Sequence, residues 1–489
     1  MKNPFLNTQR AEKFRTLLAQ ARDAADMVKT EWQYATELIR SGCPQEAIIQ
    51  LEKLEKDLKD GPVKSDSKTQ SLMRISLAVA HLRVAEKQNR ERGYNLDSYL
   101  FPIRNTGAFK SQEASRAAMD VLTEQLTRFP SDLAARWLLN LAYMTLGEYP
   151  EKVPPQWLIE PRVFESDYDV KRFADAAPAL GLDIDGLAGS SITEDFDGDG
   201  CLDIMVSAWG LRDQLRYFRN NADGTFTERT QEAGLLGEVG GLNLIQADYN
   251  NDGLPDVLVL RGAWLNVAGH LPNSLLRNNG DGTFADVTEE AGLLSFHPTQ
   301  TATWFDFNND GWIDLYIGNE SGTGEVHPCE LYRNNADGTF TECAASAGVA
   351  NVAFVKGVTS GDYDNDGWPD LYLSRRGQLN VLYHNDGPKA PDRNPKGAWQ
   401  FTDVTLQAGV TQPLASFPTW FWDYDNDGWL DILVAGSYLK DIGNVAADYL
   451  GLPHVGEGGR LYRNNGNGTF SDVMKAVRLD KILSAMGCN

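Results

Sequence analysis

A nine-residue pattern of acidic and amide side chains occurs five times between residues 195 and 431, with the spacing of a metal-binding loop. The pattern is D-x-[DN]-x-D-G-x-x-D, so oxygen ligands stand at positions 1, 3, 5 and 9 and glycine stands at position 6. Alternate side chains of such a loop point inward and the glycine permits a sharp turn, as in an EF-hand loop compressed to nine residues. The predicted side-chain ligands are Asp195, Asp197, Asp199 and Asp203; Asp248, Asn250, Asp252 and Asp256; Asp306, Asn308, Asp310 and Asp314; Asp362, Asp364, Asp366 and Asp370; and Asp423, Asp425, Asp427 and Asp431.

Position 7 of each loop is expected to contribute a backbone carbonyl oxygen, as the corresponding residue of an EF-hand does. A backbone ligand places no demand on the side chain, which explains why this position varies from copy to copy. The residues at position 7 are Cys201, Leu254, Trp312, Trp368 and Trp429.

The ligand set favours Ca²⁺, with about five sites in the chain. Together the five loops offer 18 Asp and 2 Asn side chains. Carboxylates packed together without a cation would have raised pKa values and would strain the fold. Mg²⁺ demands a tighter octahedron, and the absence of His and thiolate side chains at ligand positions disfavours Zn²⁺ and copper. The alternative is that these are plain Asp/Gly turns, but five copies with first-Asp spacings of 53, 58, 56 and 61 residues disfavour it.

Two further recurring features predict the strands that position the loops. A turn of the Asn-Asn-x-Asp-Gly-Thr-Phe kind stands at 220–226, 278–284, 334–340 and 464–470, with a shorter form at 385–387, and Asp-Gly between apolar runs predicts a hairpin. A Phe-x-[Asp/Glu] segment begins at Phe173, Phe226, Phe284, Phe340, Phe401 and Phe470. Repeats of 50 to 60 residues with several short strands are typical of propeller blades. The copy at Phe173 precedes every Asp loop, so we expect it to be the last strand of an incomplete repeat.

The fold class expected for the whole chain is α+β with several domains. Residues 1–152 have apolar side chains at helical spacing and predict an α-helical domain, and residues 153–172 are predicted to be a linker. The stretch from Ala114 to Leu146 loosely resembles a tetratricopeptide helix pair, and a plain helical bundle is the alternative. Residues 173–489 are predicted to form an all-β propeller. Segments 387–400 and 440–459 exceed what a blade requires and are candidates for capping a face or building a binding site.

The Asp loops and their flanking strands resemble the FG-GAP/VCBS repeats of integrin α-subunit propellers and of bacterial secreted repeat proteins. Together with the Asn-Asn-x-Asp-Gly-Thr-Phe turn they resemble the subgroup related to cartilage acidic protein and the UnbV/ASPIC proteins. The resemblance covers roughly residues 173–489. It implies a propeller of about seven blades with Ca²⁺ in the blade loops, in an extracellular or periplasmic setting, with a binding or adhesion role. The sequence contains five Asp loops, fewer than the blades of a seven-bladed propeller, so we expect a propeller that is truncated at the C-terminus or closes unusually.

The formal net charge of −23 disfavours nucleic acid as a partner, because phosphate binding needs a basic surface. No run of about 20 apolar residues predicts a transmembrane segment, and the first 30 residues lack a signal-peptide core. We therefore expect either a cytoplasmic protein or one whose signal has been removed, and the resemblance favours the second. With the turn centre of the 334–340 hairpin taken near Ala336, Cys329 and Cys343 lie opposite each other on its two strands. A disulfide between them is as plausible as two free thiols, and would favour a protein whose signal has been removed.

No catalytic motif is recognisable in the sequence. The histidines at 81, 270, 297, 327, 384 and 454 show no metal spacing and are expected on the surface or in loops. The first functional hypothesis is a non-enzymatic, Ca²⁺-binding extracellular interaction or adhesion scaffold for protein or glycan partners. The alternatives are a hydrolase or lyase with its site at the propeller centre, and a structural subunit of a self-associating surface assembly.

Overall fold

In a computed structural model, the chain divides into two units, one of residues 3–171 with 439–456 and the other of residues 172–438 with 457–489. They are called the helical unit and the repeat unit below. The structure describes residues 6–21, 23–60, 66–93, 96–165, 173–322, 324–388, 399–436 and 438–480. None of the helices among these residues is long and apolar enough to cross a membrane.

The helical unit begins with six α-helices, each packed on the one before it. They are α1 (Asn7–Leu18), α2 (Ala24–Arg40), α3 (Pro44–Asp60), α4 (Ser67–Glu91), α5 (Glu113–Arg128) and α6 (Leu133–Thr145). Three of them begin after an aspartate, Asp23, Asp66 or Asp132, whose carboxylate accepts the backbone N–H three residues on. Such a cap satisfies an amide that the helix itself leaves unpaired. Helices α5 and α6 form the pair that the sequence predicts over 114–146.

Two further segments complete the core of the helical unit. Within residues 153–165, part of the stretch expected to be a linker, Ile159 is fully buried, and its N–H donates to Oδ1 of Asn140 in α6 at 3.0 Å. The second segment is residues 439–456, an insertion in the fifth repeat that contains the helix Ile442–Tyr449, called the insertion helix. Its Ala446 is fully buried in a cluster with Leu138 and Leu139 of α6.

The repeat unit contains five four-stranded antiparallel sheets, each with its strands in sequence order. Sheet 1 comprises β1 (Ala188–Glu194), β2 (Asp203–Ala208), β3 (Arg216–Asn220) and β4 (Phe226–Glu228); sheet 2 comprises β5 (Asn243–Ala247), β6 (Asp256–Leu260), β7 (Ser274–Asn278) and β8 (Phe284–Asp286); sheet 3 comprises β9 (Thr299–Phe305), β10 (Asp314–Asn319), β11 (Glu330–Asn334) and β12 (Phe340–Glu342); sheet 4 comprises β13 (Val355–Gly361), β14 (Asp370–Arg375), β15 (Val381–Pro388) and β16 (Trp399–Asp403).

Sheet 5 comprises β17 (Ser416–Trp422), β18 (Asp431–Gly436), β21 (Arg460–Asn464) and β22 (Phe470–Asp472). Between its second and third strands lie two short paired strands, β19 (Tyr438–Leu439) and β20 (Gly456–Glu457), which flank the insertion. Three one-turn helices lie outside the sheets: α7 (Ala177–Leu180), α8 (Ala344–Ala347) and α9 (Thr405–Ala408).

The first strands of successive sheets lie side by side, from β1 through β5, β9 and β13 to β17. Between the sheets lie apolar side chains of both neighbours, such as Tyr316 and Leu373, which are fully buried. The prediction of a helical region followed by propeller-type β repeats is confirmed. Within the described residues the five sheets do not close into a barrel, so the propeller is incomplete.

The strand order defines two ends of the repeat unit. Each Asp loop joins the first and second strands of a sheet, and each Asn-Asn turn joins the third and fourth, so both lie at one end, called the Asp-loop end. The connections from second to third strand, and from fourth strand to the next sheet, lie at the opposite end because the strands are antiparallel.

One expectation about the repeats is wrong, and one alternative that the sequence left open is decided. Residues 173–176 form no strand and Phe173 is 90% exposed, so within the described residues this copy of the Phe-x-Asp segment is not part of a sheet. The thiols of Cys329 and Cys343 are free. The turn centres on Asp337 rather than Ala336, because Asn334 pairs with Phe340, and Cys343 therefore lies opposite Leu331.

Candidate metal centre: the Asp loops

The five Asp loops share one backbone conformation, which the residues at positions 4 and 6 permit. Glycine at position 6 has φ between +85° and +92° in all five loops, a region that side chains with a Cβ rarely adopt. Position 4 also has positive φ, and it carries glycine in the first loop and asparagine in the other four. These two residues fold the loop back so that its carboxylates face one another.

The aspartate at position 1 closes each loop through the backbone. In the first loop Oδ1 of Asp195 accepts the N–H of Asp199 at 3.0 Å, and Oδ2 accepts the N–H of Gly200 at 2.8 Å. The same pair of hydrogen bonds is made by Asp248, Asp306, Asp362 and Asp423. This carboxylate is therefore held in place whether or not an ion is bound.

The aspartate at position 9 is buried and joins the loop to the third strand of its sheet. Oδ1 of Asp314 accepts the N–H of Asn334 at 2.7 Å, and Oδ2 accepts the N–H of Phe307 at 3.1 Å. Burial raises the pKa of Asp314 to about 8 and that of Asp256 to about 7, because the charged form is poorly solvated there. A cation beside these carboxylates would favour their charged form.

The side chains at positions 3 and 5 face a residue on the third strand that the sequence analysis did not single out. In the first and fifth loops this residue is arginine: Arg219 binds Asp197 and Asp199, and Arg463 binds Asp425 and Asp427. In the fourth loop it is His384, whose Nε2 lies 3.0 Å from Oδ2 of Asp364.

In the second and third loops an amide stands at position 3 and donates to the carboxylate at position 5. Asn250 reaches Asp252 at 2.8 Å, and Asn308 reaches Asp310 at 3.1 Å. Part of the charge that the sequence analysis assigned wholly to a metal ion is therefore balanced by side chains, and to a different extent in each loop.

The structure brings candidate ligand atoms together in three of the loops. Side-chain oxygens of Asp195, Asp197 and Asp199 lie within 4.8 Å of one another, and so do those of two further sets. These are Asp362 with Asp364 and Asp370, and Asp423 with Asp425 and Asp431. The loops that carry Asn250 and Asn308 adopt the same backbone conformation, because Asp248 and Asp306 make the same two hydrogen bonds within them.

The fourth loop fits a divalent cation best. Oδ1 of Asp364 is buried and has no hydrogen-bond partner, and oxygens of Asp362 and Asp370 lie within 4.8 Å of an Asp364 oxygen. A buried carboxylate oxygen without a donor is costly unless a cation binds it. All these ligand atoms are hard oxygens, which suit Ca²⁺.

Position 7 lies at the edge of each loop. Its N–H donates to Oδ1 of the position-5 aspartate at 2.9–3.0 Å in the loops of Cys201, Leu254, Trp312, Trp368 and Trp429. The backbone carbonyl ligand expected at this position stays a prediction.

A second set of residues that the sequence analysis did not assign a role joins neighbouring sheets. The side-chain amide of Asn278 donates to the carbonyl of Phe196, in the Asp loop of the preceding sheet, at 2.8 Å. Asn334, Asn385 and Asn464 make the equivalent bond to the loops before them. These are the first asparagines of the Asn-Asn turns, so their recurrence in the sequence was the signal.

A protein-family model described as "FG-GAP-like repeat" matches residues 195–259, 265–317, 306–373 and 362–434. Cartilage acidic protein 1 of Homo sapiens is 28% identical over 175 residues, which are 34% of this chain and 24% of that protein. The Xenopus tropicalis protein is 26% identical over 171 residues, 34% of this chain and 25% of that protein. The matched segment therefore spans about a quarter of the length of these relatives.

Among solved structures, the V. cholerae biofilm matrix protein Bap1 aligns with 60% of this chain and 40% of its own at 12% identity, with a TM-score of 0.34. The repeats matched by the family model contain the Asp loops and most of the sheets described above. The repeat unit thus consists largely of FG-GAP-like repeats, and part of the chain is related in sequence to cartilage acidic protein 1.

Proposed function

We propose that the repeat unit is a Ca²⁺-binding interaction scaffold that works outside the cytoplasm, extracellularly or in the periplasm, without catalysing a reaction. The observation that carries the proposal is the fourth Asp loop, where Oδ1 of Asp364 is buried without a donor and oxygens of Asp362 and Asp370 lie within 4.8 Å of an Asp364 oxygen. Millimolar Ca²⁺ is typical of extracellular fluid and suits exposed oxygen sites of modest affinity. The partner would be a protein or a glycan, because the net charge of −23 disfavours nucleic acid.

The interaction role rests on the relatives and on the layout of the loops. The repeats are those of an FG-GAP-like family, and the matched relatives carry the name cartilage acidic protein 1. All five Asp loops lie at one end of the sheets, so bound ions would stiffen one continuous surface. Position-4 asparagines support this stiffening, since Asn309 and Asn365 each donate to the glycine carbonyl of the next loop.

Thermal unfolding of the full chain in EDTA, in millimolar Mg²⁺ and in millimolar Ca²⁺ tests the metal part of the proposal. Each site that binds only the folded chain adds about 2.7 kcal/mol at a hundredfold excess over Kd. We expect a large rise of the unfolding midpoint in Ca²⁺ and a small one in Mg²⁺. Identical curves in all three solutions would contradict Ca²⁺ binding by the Asp loops.

Asp364→Ala tests the fourth loop itself, with Asp337→Asn as the matched control. Asp337 is an exposed turn residue at a position where the fifth repeat carries Asn467, so its charge is dispensable. Calorimetric titration with Ca²⁺ should give one site fewer for Asp364→Ala and an unchanged stoichiometry for Asp337→Asn. Equal stoichiometries in all three proteins would place no ion in the fourth loop.

A binding screen tests the interaction part. The immobilised full chain is exposed to panels of purified matrix glycans and extracellular proteins, in Ca²⁺ and again in EDTA. We expect at least one partner to be retained in Ca²⁺ and released by EDTA. Retention of no partner would contradict the scaffold role, and Ca²⁺-induced self-association without any partner would instead favour a structural subunit.

A further inference from the structure

Three histidines and one glutamate converge at the end of the repeat unit opposite the Asp loops. His270 lies in the connection between β6 and β7, His297 in the connection between β8 and β9, and Glu325 and His327 in the connection between β10 and β11. These are connections of sheets 2 and 3, and the strand order puts them all at the same end. They are far apart in sequence, and the folding of two neighbouring repeats brings them together.

The distances among three of these side chains are those of metal ligands. Nε2 of His270 lies 3.1 Å from Oε2 of Glu325, and Nε2 of His327 lies 3.4 Å from the same oxygen. One candidate ligand atom from each of the three side chains lies within 4.8 Å of the other two. In a tetrahedral site with bonds of about 2.0–2.1 Å, neighbouring ligand atoms are separated by about 3.3–3.4 Å. The two separations from Glu325 Oε2 are therefore those expected between ligands of one such ion.

His297 and the backbone hold the innermost ligand in place. Nδ1 of His297 lies 2.9 Å from Nδ1 of His327, on the side of the ring away from Glu325. The N–H of His327 donates to Oγ of Ser321, and that hydroxyl lies 2.9 Å from the His327 carbonyl oxygen. The His327 side chain is only 7% exposed, so the surrounding protein restricts the orientation of its ring.

We propose that His270, Glu325 and His327 form a site for a divalent transition-metal ion of the Zn²⁺ class, with His297 as a positioning residue. Two imidazole nitrogens and one carboxylate oxygen are a ligand set that suits Zn²⁺ and disfavours Ca²⁺, which takes six to eight oxygens. Hydrogen bonding to the second nitrogen of a ligating histidine fixes its tautomer and raises its basicity, which is the role assigned to His297.

The site has three protein ligands and an open side. The His270 side chain is 47% exposed and that of Glu325 27% exposed, whereas His327 is buried. Solvent therefore reaches the ion from the side of His270, where a water molecule or an anionic group of a ligand completes the tetrahedron. Three protein ligands with an exchangeable fourth are the arrangement of reactive rather than purely structural Zn²⁺ sites.

A network of hydrogen bonds without metal is the competing reading of the same geometry. Protonated Nε2 atoms of His270 and His327 would both donate to Glu325, with the Nδ1–H of His297 donating to His327. That network predicts no affinity for Zn²⁺ above that of an isolated histidine beside a carboxylate. His454 provides such a pair, since its Nε2 lies 3.3 Å from Oδ1 of Asp448.

The test is calorimetric titration of the full chain with Zn²⁺ in millimolar Ca²⁺, which occupies oxygen-only sites first. We expect one tight site per chain, weakened more than about 100-fold by His270→Ala or Glu325→Gln and about 10–100-fold by His297→Ala. The affinity of His454→Ala should equal that of the unchanged protein. His270 and Glu325 are partly exposed, so their variants are expected to fold, which circular dichroism checks.

The variant His384→Arg separates this site from the fourth Asp loop, where His384 adjoins Asp364 and Asp366. Arginine stands at the equivalent position of the other four repeats, so the change is compatible with the fold. Tight Zn²⁺ binding that survives His384→Arg and disappears in His270→Ala supports the proposal. The reverse result, or no tight binding at all, overturns it without affecting the Ca²⁺ experiment.

Discussion

At the scale of single residues, one buried lysine of the repeat unit is held by both an ion pair and aromatic rings. Lys356 on β13 is 2% exposed, and its ammonium binds the carboxylate of Glu320 and the side-chain carbonyl of Gln300. The ammonium also lies 3.2 Å from the ring centroid of Trp264, a cation–π contact. Oε2 of Glu320 accepts the backbone N–H of Trp264 at 2.7 Å. The ion pair therefore also holds the connection between β6 and β7, in which Trp264 lies.

Removal of this lysine is expected to be strongly destabilising. The variant Lys356→Met keeps most of the volume but leaves Glu320 buried without its partner. Breaking a buried ion pair in this way costs about 3–5 kcal/mol. Denaturant unfolding of the variant should give a free energy of unfolding that is lower by that amount.

The double variant Lys356→Met with Glu320→Gln is the control for that prediction. It removes both charges, and replacement of a whole buried pair is often close to neutral. We expect it to recover most of the stability lost in Lys356→Met. If the single variant is as stable as the original chain, the pair does not carry the energy assigned to it.

At the scale of elements, the inter-sheet asparagines and the insertion helix carry contacts that the repeat pattern alone does not reveal. Asn464 is 2% exposed, and its amide donates to the carbonyls of Tyr363 in the preceding loop and of Leu430. The next residue, Asn465, is exposed, and its side chain bonds to Thr469 and Ser471 of its own hairpin.

The variant Asn464→Ala should therefore be much more harmful than Asn465→Ala. Loss of the Asn464 amide leaves two carbonyls without their donor, and each unsatisfied buried group costs about 1–3 kcal/mol. Chemical unfolding measures both variants under identical conditions. If both variants lower the free energy of unfolding equally, the hydrogen bond from Asn464 to Tyr363 adds no stability beyond that of the turn itself.

The insertion helix is expected to be part of the stable core of the helical unit. Ala446 is fully buried against α6, and the ring of Tyr449 lies 5.1 Å from that of Trp137. Ala446→Glu places a charge in this contact, and burial of an unpaired charge is among the most destabilising changes.

Hydrogen exchange of the α6 amides measures that effect directly. We expect faster exchange over Leu133–Thr145 in Ala446→Glu, and little change in Leu452→Glu, because Leu452 lies in the same insertion but is 41% exposed. Unchanged exchange in both variants would show that the insertion does not stabilise α6.

At the scale of the whole molecule, Ca²⁺ should stabilise one unit and not the other. All five Asp loops lie in the repeat unit, and a ligand stabilises the structure that holds its sites. Hydrogen exchange of the full chain in Ca²⁺ and in EDTA should show greater protection of the strands in Ca²⁺, with α1–α6 unchanged. Greater protection of the helices alone would place the ions outside the Asp loops.

The sequence by itself determined the features that depend on short stretches of chain. The Asp loops, the Asn-Asn turns and the pairing of α5 with α6 follow from local patterns, because turn geometry and helix caps act over a few residues. The repeat spacing also predicted the propeller-type sheets. The FG-GAP-like family model confirms this reading of the repeats.

Only the tertiary structure decided the features that depend on register and on contacts between distant residues. A shift of the turn centre by one residue moved Cys343 from Cys329 to Leu331, because each residue of shift at the centre moves a cross-strand pair by two. The position of the insertion helix depends on the packing of its apolar residue Ala446 against Leu138 and Leu139 of α6. The convergence of His270, Glu325 and His327 required two neighbouring repeats to stack, which no spacing along the chain expresses.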